Sequence, residues 1–166
     1  MKSLLVVAPL VILIVLTVSC QDQQAVTGPE DLKAQAAVEE QKLWELSHDL
    51  VEVEKSKDLE TTLSFFTEDS VLQAPGTPQV EGLEGVRALV EEMFQLPFED
   101  FESGAERIVV SVEANMAYEL GWYRMPFEGP EGRIHEEGKY TIVWRKVDGE
   151  WKYLVGCWNN NEPTQL

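Results

Sequence analysis

Basic residues are scarce in this chain: 13 Lys and Arg stand against 30 Asp and Glu, for a formal net charge of −17. That balance argues against a nucleic-acid partner, because phosphate backbones are gripped by clustered Lys and Arg. It argues equally against an electrostatic hold on anionic lipid, and it favours solubility. Histidine is scarcer still. His48 and His135 are the only two, with no ligand spacing between them, so no metal site is expected. A glycine-rich phosphate loop is also missing, and no cofactor is expected. No internal repeat or low-complexity segment interrupts the domain.

The 166 residues suffice for one domain with a real core, and 44% hydrophobic with 26% charged content is that of a folded globular chain. The first twenty residues stand apart. Lys2 precedes an apolar run from Leu4 to Val18, broken only at Pro9 and Thr17, and polar sequence follows Ser19 and Cys20 at once. A short apolar run with one basic flank and a small residue before the break is the pattern of an export signal. Its ending, LTVSC, resembles the lipobox of bacterial lipoproteins, with Thr17 where that pattern prefers Leu. The resemblance implies a signal over residues 1–19 and acylation at Cys20, with the membrane touched through that anchor only. Gln21, in place of the Asp that marks inner-membrane retention, implies the outer membrane or periplasm. Cys157 is then the one remaining thiol, no intrachain disulfide can form, and the core must hold the fold.

Residues 20–30 read as a polar tether, and Thr27 with Glu30 has capping-box spacing ahead of a helix. From Glu30 to about Lys57 there is no Pro or Gly, and Leu32, Ala36, Leu43, Leu46, Leu50 and Val53 fall near a 3.6-residue period. A short helix over 59–69, capped by Asp58, is expected next. A short strand and a Pro/Gly loop follow in 70–82, then a third helix from about Leu83 to Phe94. After Pro97 the period changes to two, with candidate strands at 106–114, 116–125, 134–146 and 150–159. Asp148-Gly149 is a hairpin turn signal. Helices followed by an antiparallel meander imply an α+β fold, with the helices on one face of a curved sheet.

The segment KDLETTLSFFTEDSVLQAPGTPQVEGLEGVRALVEEMF, ending at Phe94, resembles the SnoaL-like and ketosteroid-isomerase-like branch of the nuclear transport factor 2-like superfamily. The shared features are the step from Phe66 to Asp69, the strand ending before Pro75, and the entry at Gly82, Gly85 and Arg87. Gly138, Tyr140, Trp144-Arg145, Asp148-Gly149, Trp151-Lys152 and Trp158-Asn159 extend the likeness through the C-terminal half. The resemblance implies a domain over residues 31–162, followed by a tail at 163–166. It implies a cone, in which a strongly bent sheet wraps the long helix and leaves an apolar cavity at the open end. It also implies a homodimer formed through the outer sheet face.

The isomerases of this fold remove a proton beside a carbonyl, with a carboxylate base and a hydrogen-bond donor for the enolate. The base position falls on Ala74, and the donor positions fall near Leu50 and Ile142. That constellation does not carry over, and Gly156 stands where the subfamily often has an Asp. What remains is aromatic. Trp44, Tyr118, Trp122, Tyr140, Trp158 and, beside it, Asn159 are the candidate ligand contacts for a small apolar molecule. Glu119, Glu137 and Tyr140 are the candidate acid–base groups; the two carboxylates are either solvated strand charges or cavity groups with raised pKa. Cys157 reads as a small buried hydrophobe. Three functions stay open: a binding module for a small apolar ligand, an isomerase, dehydratase or hydrolase with a non-standard acid–base set, and an interaction domain of the cell envelope.

Overall fold

The computed structural model describes residues 28–96, 100–129 and 132–161, without the side chains of 127–129 and 133–135. The signal segment, Cys20, most of the tether, the His135 side chain and the tail lie outside these residues.

Helix α1 (Pro29–Ser56) starts at Gly28, whose backbone N–H donates to Asp31 Oδ2 at 3.1 Å. The cap thus sits one residue later than the expected Thr27–Glu30 pairing. Lys57 closes the helix in the left-handed region (φ 56°), and its Nζ donates to the carbonyls of Phe94 and Leu96. Helix α2 (Leu59–Ser64) is capped by Asp58, which accepts from Thr61 N–H at 3.2 Å. It ends five residues before the expected limit. Phe65 gives its carbonyl to Tyr153 N–H at 2.7 Å, and the chain is already extended at Phe66. Here strand pairing overrides local helix preference, as it does for residues that suit a pleated surface.

Strands β1 (Phe66–Gln73) and β2 (Val80–Glu81) precede helix α3 (Gly82–Gln95). Strands β3 (Glu102–Ser111), β4 (Met116–Gly129), β5 (Gly132–Val147) and β6 (Glu150–Asn160) form the expected meander. The sheet has six strands in the order β2-β1-β6-β5-β4-β3, because β1 adds parallel to β6. Asp148 and Gly149 turn the last hairpin with φ of 51° and 89°. Helix α1 packs on β3 and α3 on β1, so both helices cover the concave face. Leu43, Leu50, Leu63, Val86 and Trp144 lie in the core between them.

Strand alternation sorts the faces. On β4, Ala117, Glu119, Gly121 and Tyr123 are buried, whereas Tyr118, Leu120 and Trp122 are 39%, 36% and 37% exposed on the outside. On β6 the inward set changes parity. Trp144 pairs with Tyr153 but Val143 pairs with Val155, so Leu154 is an extra residue. Such a bulge exchanges the faces downstream. Trp151 and Tyr153 therefore point inward before it, and Gly156 and Trp158 after it. Cys157 is carried to the exposed face, which corrects the expectation that it is buried.

Candidate functional site

A cavity of about 140 Å³ opens between α1, α3 and the concave sheet. Helix α1 supplies Ser47, Leu50, Val51 and Glu54, residues that fall on one stripe at three- and four-residue spacing. Val90, Met93 and Phe94 come from α3, and Phe66 and Leu72 from β1. The remaining wall is mostly aromatic, with Tyr123, Tyr140, Tyr153 and Trp158. Among the described residues no Lys, Arg or His lines the cavity.

Three of these tyrosines lie across glycines. A Cβ on Gly121 would strike the Tyr140 ring, one on Gly138 the Tyr123 ring, and one on Gly156 the Tyr153 hydroxyl. Glycine at these positions lets the tyrosines pack directly against the strand backbone, a close approach that any side chain would block. The Tyr153 hydroxyl thus fills the place that a side chain at residue 156 would take.

Behind the wall lies Glu119, which is fully buried. Its Oε1 accepts from Ser47 Oγ and from the Tyr140 hydroxyl, each at 2.7 Å, and its Oε2 accepts from Trp144 Nε1 at 2.9 Å. Burial raises the Glu119 pKa, and the three donors oppose that rise. The Tyr140 phenol is held far above its ordinary value by its own burial and then by the Glu119 charge.

Glu54 differs from Glu119. Its carboxylate has no hydrogen-bond or ion-pair partner among the described residues. Every fully buried side-chain oxygen and nitrogen among them does have one, so the Glu54 carboxylate reaches open space at the cavity. Burial, with the Glu119 charge adding to it, pushes its pKa up to about 7. Tyr153 is likewise without a side-chain hydrogen bond among the described residues, and burial and then the charge of Glu54 hold its phenol well above its usual range.

The residues singled out from the sequence separate clearly. Tyr140 and Trp158 line the cavity, and Glu119 sits one layer behind it. Trp44, Tyr118, Trp122 and Asn159 do not line it. Tyr118 and Trp122 stand on the outer sheet face by strand alternation, Asn159 is exposed, and Trp44 packs beside the core with its indole toward Glu40. Glu137 is also outside, paired with Arg124 at 2.8 Å. Glu54 and Tyr153 were not foreseen. The signal for Glu54 was its place seven residues after Ser47 and four after Leu50, on the apolar stripe of α1. Tyr153 was hidden by the bulge, which brings residues of opposite parity to one cavity.

A cavity with a lone carboxylate, a free phenol and ring walls can hold a small apolar molecule by one polar end, and its carboxyl group can exchange a proton near neutral pH. No group of three His, Cys, Asp or Glu side chains placed to hold a metal occurs among the described residues.

The SnoaL-like domain model matches residues 48–154. The fold is similar to that of a ketosteroid isomerase-like protein from Erwinia carotovora atroseptica, with a TM-score of 0.66 at 18% identity over 75% of this chain and 98% of that one. It is similar also to an NTF2-like protein of unknown function from Pseudomonas putida, with a TM-score of 0.66 at 12% identity over 78% and 92% of the two chains. An NTF2-like protein with a cystatin-like fold from Novosphingobium aromaticivorans matches with a TM-score of 0.64 at 14% identity over 84% and 94%. No curated protein sequence matches the chain.

Proposed function

The chain belongs to the SnoaL-like family, and from that premise we propose that it is an exported, lipid-anchored domain that binds a small apolar or aromatic molecule in its cone cavity. The cavity itself carries this reading: apolar and aromatic walls surround about 140 Å³ of space, with a few polar groups to orient a guest. The anchor is Cys20, and the outer membrane or the periplasm is the place the signal segment implies. A second copy of the chain is the partner proposed for the outer sheet face, where Val109, Met116, Tyr118, Leu120 and Trp122 are exposed together. Sedimentation of the wild type against Leu120→Glu tests that contact; a wild-type monomer would remove it.

Ligand binding is tested by titrating the tryptophan fluorescence of the purified protein with small apolar and aromatic compounds. Saturable quenching that is lost in Trp158→Ala, with the fold intact by circular dichroism, supports the reading. A flat response across the panel counts against it.

One observation favours a second reading, a proton-transfer enzyme. Glu54 titrates near neutrality and Tyr153 has a free phenol. Glu54 would take a proton from carbon beside a carbonyl while Tyr153 donates to the oxygen. Deuterium exchange into added ketones, followed by proton NMR and lost in Glu54→Gln, is the test.

A further inference from the structure

The polar groups of the cavity are nearly all acceptors toward a guest. Tyr140 spends its one hydroxyl hydrogen on Glu119, and Ser47 does the same, so each turns only oxygen lone pairs to the cavity. Glu54 brings a carboxylate with no hydrogen bond or ion pair among the described residues. Tyr153 is the one lining tyrosine whose hydroxyl hydrogen is uncommitted, since Tyr123 donates to Asn160 Oδ1. Among the described residues no cationic side chain lines the space. A carboxylate in apolar surroundings either takes up a proton or pairs with a cation. Phe66, Tyr123, Tyr153 and Trp158 line the same space, and aromatic rings attract a cation set over them.

Resting on the binding reading above, we infer that the ligand of this cavity is a hydrophobic amine, whose ammonium group pairs with Glu54 while its apolar body fills the aromatic end. An ammonium has three donors and no acceptor, which suits a cavity whose Glu54, Tyr140 and Ser47 oxygens are acceptors. Once Glu54 is ionised, a carbonyl or carboxylate guest would find one free donor, Tyr153, and would set its own oxygen against the acceptors. The size limit follows from the volume, since an apolar cavity of about 150 Å³ takes benzene. The net charge of −17 draws cations toward the protein as a whole.

The pH dependence has a definite sign. Tyr123 from β4, Tyr140 from β5 and Tyr153 from β6 are the titratable groups that line the cavity with Glu54, Glu119 lies one layer behind Tyr140, and the lining residues of β3 and α3 include Ser103, Val90, Met93 and Phe94. All three phenols are held above their ordinary range, so none of them titrates between pH 6 and 8. With the Glu54 pKa at about 7, an amine gains affinity over that interval and a neutral guest does not.

The probes are benzylamine and its neutral isostere benzyl alcohol, titrated calorimetrically into the purified protein at pH 6 and pH 8. Benzylamine is expected to bind about tenfold more tightly at pH 8 than at pH 6, and benzyl alcohol no more tightly. Glu54→Gln is expected to abolish the benzylamine gain and spare the alcohol, and the wild-type comparison decides alone should that variant misfold. Benzyl alcohol binding as well as benzylamine at pH 8 overturns the amine inference and leaves the binding reading standing. No heat from either probe overturns both.

Discussion

The Tyr140 hydroxyl donates to Glu119 Oε1 at 2.7 Å, and this bond decides what Tyr140 can offer the cavity. A phenol has one hydrogen. Committed to a buried carboxylate, it stabilises that charge and leaves an acceptor facing the ligand. Removing the hydroxyl should therefore act on stability through Glu119. Tyr140→Phe is expected to cost about 1.5–3 kcal/mol at pH 8, the range for a hydrogen bond to a charged group. The loss should shrink at pH 4, below the ordinary 4.5 that burial raises further, where protonation removes the Glu119 charge that the phenol serves. Urea denaturation at the two pH values measures it, and an equal loss at both would separate Tyr140 from the ionised carboxylate.

Glu54 predicts the opposite pH trend for its own replacement. Its folded pKa, about 7, lies above the ordinary value of 4.5, so the folded state holds a proton that the unfolded state gives up. That contribution is complete below about pH 4.5 and is lost as pH rises through 7. Glu54→Gln, which needs no proton, should match the wild type near pH 4 and exceed it by about 1–3 kcal/mol at pH 8. Thermal melts of both proteins across that range follow the difference.

Glu39 works in the other sense in the N-terminal half of α1. Lys146, Lys42 and the Trp151 indole all contact its carboxylate, at 2.7, 2.8 and 2.7 Å. Hydrogen bonds from the two lysines hold its pKa at about 2. This stability is present above pH 4.5 and disappears as pH falls toward 2. Glu39→Gln should flatten the acid limb of the stability curve between pH 5 and pH 2, measured by denaturant midpoint.

Gly156→Ala should be destabilising without any change of backbone preference, because the added methyl lands on the Tyr153 hydroxyl. Overpacking of this kind costs about 1–3 kcal/mol. Adding Tyr153→Phe removes the first atom struck and should recover part of the loss. A double-mutant cycle tests the coupling, and strict additivity would place the two residues apart.

Much of the fold was legible because its signals are local and periodic. The long helix, the third helix, the meander and the Asp148-Gly149 turn follow from spacing within short windows. The step at Phe65 was not legible as a helix end, since its carbonyl is claimed by Tyr153, 88 residues later. Tyr140 could be set on the right wall because β5 alternates regularly through it. Trp158 and Cys157 depended on the extra residue at Leu154, and nothing in the strand's own composition marks that bulge. Tyr118 and Trp122 were drawn toward the cavity by their aromatic character alone, while alternation with the buried Glu119 puts them outside. Glu54 was missed because an acid on an amphipathic helix is ordinarily a solvated one, and only the tertiary arrangement shows that this acid shares a stripe with Ser47 and Leu50.

The amine inference and the proton-transfer reading both pass through the state of one carboxyl group, and carbon-13 NMR titration of the Glu54 side-chain carboxyl reads it directly. The predicted result is a midpoint at about 7 in the free protein. A midpoint at the ordinary glutamate value of 4.5 would contradict the account, because it would show Glu54 to be a solvated surface acid with no special claim on a ligand.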